Sequence, residues 1–150
     1  MESADLTKTF ELLASKDHKA AYEALRTLQN LSEDTNAVYP YMDQLSEMMD
    51  SGNSYIRTRA LTLIAYNARW DKENKIDEMI ARYLRHITDV KPITARQCIK
   101  LLPLIAKSKP DLKEDMIAAL YKADISCYAG SMQPLVCEDI QKALSELKKG

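Results

Sequence analysis

Between Leu6 and Leu147 apolar residues recur at helical spacing, and short polar intervals interrupt them. The pattern predicts eight helices, over about residues 5–14, 18–31, 39–49, 55–70, 74–87, 92–108, 111–122 and 132–148. Asp17 is placed to cap the second helix, and Asn53 or Ser54 the fourth. Pro40, Pro92 and Pro110 stand at helix starts, where a missing N–H costs nothing. In the fourth helix Ile56, Ala60, Leu63, Ile64 and Asn67 form the clearest amphipathic stripe. The sixth is apolar almost all round, Ile93 included, so it is expected to be the central, doubly covered element. Pro103 inside it is expected to kink it. Leu135, Val136, Ile140, Leu144 and Leu147 are the expected buried set of the last helix. The methionines at 42, 48, 49, 79 and 116 lie on apolar stripes and read as core. Connectors this short favour antiparallel hairpins in one domain spanning 1–150.

Composition strengthens the helical reading. Three glycines, five prolines and only three valines leave little material for strands. A net charge of −1 argues against a bulk nucleic-acid binder or a polybasic membrane protein. The opening MESADLTKTF lacks a leader's charged-then-apolar layout, and the longest apolar run, 101–106, is far too short to span a bilayer. Cys98, Cys127 and Cys137 show no paired spacing, so they read as reduced thiols of a cytoplasmic protein, two of them buried. Charge is nevertheless segregated: residues 1–53 carry −6, 54–109 carry +7 and 110–150 carry −2.

A unit recurs about every 36 to 39 residues, within the range of two-helix repeats. Its markers are Asp50 and Arg57, then Asp89 and Arg96 at the same spacing. The run NSYIRTRAL (53–61) resembles the start of a HEAT second helix. TARQCIKLL (94–102) followed by KPDL (109–112) resembles small bacterial HEAT-like proteins labelled SufBD-type. The resemblance extends over 17–147 and is sharpest over 38–121. It implies an all-α, HEAT-like superhelix of about four helical hairpins, with atypical terminal hairpins. It also implies a ladder in which the acidic residue and the Arg bond between neighbouring repeats. HEAT-like DNA-repair glycosylases share such hairpins, but their catalytic acid and aromatic set find no counterpart here.

The resemblance places second helices of neighbouring repeats along one face. Arg57, Arg59, Arg96 and Lys100 are therefore the candidate cations for an acidic partner segment or phosphate. Tyr66 and Trp70, four apart, are candidate aromatic anchors beside them. The competing reading pairs Arg57 with Asp50 and Arg96 with Asp89, and buries Trp70 in the seam between repeats. His18 and His86 read as surface or cap residues, and adjacent carboxylates such as Glu138 and Asp139 as solvated. No catalytic motif, phosphate loop or metal-ligand spacing is present, so neither enzyme activity nor a cofactor is expected. The reading that results is a non-catalytic scaffold holding a protein or peptide on a concave face. The alternative is a nucleic-acid binder related to the glycosylases, contacting phosphates through the basic middle. Self-association through end repeats is a third possibility.

Overall fold

The computed structural model describes residues 2–149; Met1 and Gly150, the ends of the expected domain, lie outside the described residues. Helix accounts for 78 % of the described residues, and no strand occurs among them, so the class is all-α. The eight helices are α1 (Ser3–Glu11), α2 (His18–Asp34), α3 (Met42–Met48), α4 (Ser54–Tyr66), α5 (Lys75–Arg85), α6 (Pro92–Ser108), α7 (Lys113–Lys122) and α8 (Gln133–Lys148). Tight 3-10 turns extend α1, α4 and α5 and lead into α3 and α7.

Local chemistry accounts for the boundaries. The Asp17 carboxylate accepts from the amides of Lys19 and Ala20, and the Asn53 side chain from those of Tyr55 and Ile56. Each cap satisfies donors that the first helical turn leaves free. Before α5, Asn74 takes a left-handed conformation (φ 57°), which Asn tolerates better than most residues. The buried Asp71 carboxylate reaches forward to cap Lys75 and Ile76 instead.

The even-numbered helices pack in chain order, α2 on α4, α4 on α6 and α6 on α8. α1 lies against α2, α3 against α4 and α7 against α8, while the turn that closes α5 lies against α6. One continuous core runs from Leu6 to Leu147. Tyr83 is fully buried within it, and its hydroxyl donates to the Leu61 carbonyl at 2.8 Å.

Four expectations need correction. α4 is not amphipathic: Arg57 and every residue from Arg59 to Ala65 are buried, because α2, α3 and α6 surround it. It shares the centre with α6, which continues through Pro103. Ile93 and Leu135 are exposed rather than buried, since each lies in the first turn of its helix, beyond the packed faces. Of the cysteines only Cys98 is buried; Cys127 is exposed and Cys137 half-buried, and all three are free thiols. Burial pushes the Cys98 thiol well above its ordinary pKa, so it stays protonated.

Five side-chain bonds between neighbouring helical pairs share one spacing, while others, such as Thr58–Thr94 and Asn67–Ser32, span 36 and 35 residues. Tyr39–Asp71, Asp43–Lys75, Asp50–Arg82, Arg57–Asp89 and Asp77–Lys109 are each 32 residues apart. Some of the segregated charge meets across the pairs. Acids of the first third, Asp43 and Asp50, pair with cations of the basic middle, and Arg96 reaches forward to Asp139 in the last third.

Candidate functional site

The six candidate residues do not converge on one surface. Arg57 is 7 % exposed and sits at the head of a buried network. Its Nε and Nη2 donate to the two Asp89 oxygens at 2.9 and 2.7 Å, a bidentate fork. Its Nη1 donates to the Ser51 carbonyl at 3.1 Å. The His86 ring lies between two acids, with Nδ1 2.7 Å from Asp89 Oδ2 and Nε2 3.3 Å from Asp50 Oδ1. Asp89 also accepts from the Lys91 amide, and its carbonyl accepts from the Tyr128 hydroxyl at 2.5 Å. Burial alone would raise the Asp89 pKa. Hydrogen bonds from His86, Arg57 and the Lys91 amide, with the charge of Arg57, outweigh it and hold the carboxyl far below its ordinary range.

This network corrects two readings of the sequence. The partner of Arg57 is Asp89, from the next helical pair, while Asp50 goes to Arg82 and His86. His86 is therefore a buried structural group rather than a surface residue. At this one position an acid and an arginine of neighbouring pairs bond, in a register the sequence spacing alone did not specify.

Arg96 is half-buried and its Nε donates to Asp139 Oδ2 at 2.6 Å. That contact removes Asp139 from the solvated set, since its side chain is only 10 % exposed. Lys100 is exposed and lines a groove of about 380 Å³ between α6 and α8. Glu138, Asp139, Lys142 and Glu146 line it too, so the groove has mixed charge. Tyr66 is half-buried against the core. Trp70 is half-buried, and its Nε1 donates to the Ser32 carbonyl at 2.7 Å, joining the end of α4 to α2. The paired and seam-filling roles weighed for these residues thus describe Arg57, Arg96 and Trp70.

Arg59 differs from the rest. It is 8 % exposed, and its Nη1 donates to the Leu13 carbonyl at 2.8 Å. Its Nη2 is 3.5 Å from His18 Nδ1, and its Cζ is 5.8 Å from the centre of the Tyr55 ring. The His18 and Tyr55 rings lie 4.4 Å apart between centres, tilted by 47°. Among the described residues no carboxylate pairs with Arg59. Burial lowers its pKa from the ordinary arginine value, with no acid to offset that effect.

Tyr55 opens a stripe with Arg59, Thr62 and Tyr66, at i, i+4, i+7 and i+11 on α4. This stripe was legible in the sequence but was masked by the stronger apolar one beside it. Tyr55 also walls a cleft of about 460 Å³ between the first turns of α4 and α6. Thr58, Lys91, Pro92, Ile93 and Thr94 complete it, and the Thr58 and Thr94 hydroxyls lie 2.8 Å apart between the two helices. Sequence reading did not single out Tyr55 or Lys91, placed Ile93 in the packed set of the sixth helix, and placed His18 only as a surface or cap residue. Their common signal is a position at the turn or first turn of an even-numbered helix.

Among the described residues no group of three or more His, Cys, Asp or Glu side chains is placed to hold a metal ion. Among the described residues no helix is long and apolar enough to cross a membrane. No protein-family model, curated protein or solved structure matches the chain.

Proposed function

We propose that the chain is a non-catalytic binding scaffold: a HEAT-like superhelix of four helical hairpins whose even-numbered helices present a face to a protein or peptide. Chain-order packing of α2, α4, α6 and α8 and the recurring 32-residue bonds support the stacked arrangement. One observation carries the binding role. Each even-numbered helix exposes one large apolar side chain: Tyr22 at 55 %, Tyr55 at 57 %, Ile93 at 74 % and Leu135 at 39 %. Single exposed apolar residues are ordinary, but all four lie near the start of their helices, and Tyr55 and Ile93 wall one cleft that a partner can cover. The free thiols fit the cytoplasmic setting that belongs to this reading.

The nucleic-acid alternative draws less support. Of the cations in the basic middle, Arg57, Lys75, Arg82, Arg96 and Lys109 are engaged by carboxylates of the chain. These are five of the twelve cations between residues 54 and 109, so part of the charge that a phosphate backbone would use is already met within the fold.

Selection of displayed random peptides on the wild-type protein tests the proposal. Selected peptides are expected to bind wild type and Tyr121→Ser, whose tyrosine is exposed on α7, but not Tyr55→Ser/Ile93→Ser. Equal binding to all three proteins would remove the assignment of this face.

A further inference from the structure

We propose that the Nε–Nη2 edge of Arg59, where α4 meets the start of α2, binds a carboxylate from outside the chain, with the His18 and Tyr55 rings as its rim. The ligand is a carboxylate carried on an apolar body, as a free acid or as an acidic side chain of a peptide. This site lies on the α2 side of α4, away from the cleft that Ile93 walls, and does not depend on the docking face.

A comparison of three arginines carries the proposal. Arg57 turns Nη1 to the Ser51 carbonyl and its Nε–Nη2 edge to both oxygens of Asp89. Arg96 turns the same edge to Asp139. Arg59 repeats half of the Arg57 pattern: its Nη1 donates to the Leu13 carbonyl. The other half differs. Nη2 meets only His18 Nδ1, at 3.5 Å, and Nε bonds to nothing among the described residues. Two parallel N–H groups on one guanidinium edge match the two oxygens of a carboxylate. The Leu13 carbonyl ends the turn that extends α1 and carries only a partial negative charge, so it fixes the guanidinium without cancelling it.

The edge can be reached. Asn67 Oδ1 is the one side-chain polar atom that is both buried and unpartnered among the described residues, so Arg59 Nε, which has no partner either, touches solvent. The rest of the residue is enclosed, which leaves that edge as the approach. Asp17, next to His18, is committed to the amides of Lys19 and Ala20. A cation that little water screens attracts an anion more strongly than a solvated one does. His18 and Tyr55 are both exposed, and their tilted rings stand beside the guanidinium. They give the body of the ligand an aromatic surface to lie on.

NMR of the full chain, labelled with nitrogen-15, reads the Arg59 Nε–H signal directly. Benzoate is titrated at constant ionic strength, with acetate, benzamide and inorganic phosphate as comparisons. Benzoate is expected to move the Arg59 signal saturably and to leave those of Arg57 and Arg96 in place. Benzamide, which lacks the charge, should bind at least about tenfold more weakly. Acetate should move the same signal, but more weakly than benzoate, because it has no ring to meet the rim. Arg59→Lys keeps the charge and loses the two-pronged edge, and should weaken benzoate about tenfold. If that variant does not fold, the wild-type signal decides alone. Ile93→Ser should leave benzoate binding unchanged, so failure of this site and failure of the docking face are told apart. A capped peptide with one Glu, run against its Gln twin, identifies the source. A Glu peptide that acts at lower concentration than benzoate makes the natural ligand a protein side chain, and the reverse makes it a free acid; either supports the site. No saturable shift at Arg59, or equal shifts with benzoate and benzamide, overturns it. Phosphate that displaces benzoate at equal or lower concentration overturns the carboxylate assignment.

Discussion

Arg57 and Arg59 stand two residues apart on α4, both less than a tenth exposed, yet they do opposite things. Two residues turn a helix by roughly 200°, so the side chains leave on nearly opposite sides. Arg57 points toward the next helical pair and meets the Asp89 carboxylate with both prongs of its fork. Arg59 points back toward the start of α2 and meets a carbonyl and a histidine. Burial does not distinguish the two arginines; the counter-charge does. Around Arg57 the fold has gathered Asp89, His86, Asp50 and Arg82 into a network that is complete without a ligand. Around Arg59 it has gathered an aromatic pair and no acid.

The contrast is most severely tested at Asp89. Asp89→Ala leaves Arg57 buried without its acid and should cost about 3 kcal/mol, the lower end for a broken buried pair, because neighbouring Asp50 is open to solvent. Urea denaturation measures it. Arg57→Met/Asp89→Leu should cost less than Asp89→Ala alone, since it strands no charge at that point. A double variant worse than the single one would show that the network matters for more than charge balance.

Acidification comes next. The Asp89 carboxyl, and that of Asp71, are held below their ordinary range, burial notwithstanding; Asp71 is held there by Tyr39, Lys109 and the amides of Ile76 and Lys75. A group whose pKa is depressed in the folded state stabilises it above the unfolded carboxyl value of about 3.9, and that contribution is lost as pH falls toward the folded value. Stability should therefore be flat near neutrality and drop below about pH 4. Asp89→Asn should reduce that slope without abolishing it, because Asp71 remains. Parallel slopes for the two proteins in urea titrations across pH would show that Asp89 is not the group responsible.

Arg59→Met should be milder, about 1 kcal/mol, the scale of one lost hydrogen bond to the Leu13 carbonyl. A cost matching that of Asp89→Ala would mean that Arg59 has a hidden structural partner, and the comparison would collapse. The smallest effect is expected at the cleft rim. Tyr55→Ser/Ile93→Ser removes two exposed side chains and should change stability by less than about 0.5 kcal/mol per site. A larger loss would make the pair part of the core rather than a surface for a partner.

Much of this was legible before any coordinates. The caps at Asp17 and Asn53, the prolines opening helices and the eight helical segments follow from local rules, because a cap or a missing N–H acts within one turn. Helix four shows where local reading stops. Its Ile56–Asn67 stripe was sound as a pattern, but neighbours on several sides buried Arg57, Arg59 and Thr62 as well, and no periodicity reports how many neighbours a helix has. Asp50 was matched with Arg57 by spacing, and Asp89 took it in the fold.

The amino-acid order by itself determined that this chain is helical, where its helices start, and that opposite charges are segregated along it. Tertiary structure decided which cation met which anion, that His86 and Asp139 would be drawn into bonds, and that Arg59 alone among the buried arginines would have no acid. The physical reason is one of range. Helix formation and capping act over about four residues, whereas charge pairing here reaches across 32 and more, and depends on which faces the packed core turns toward each other.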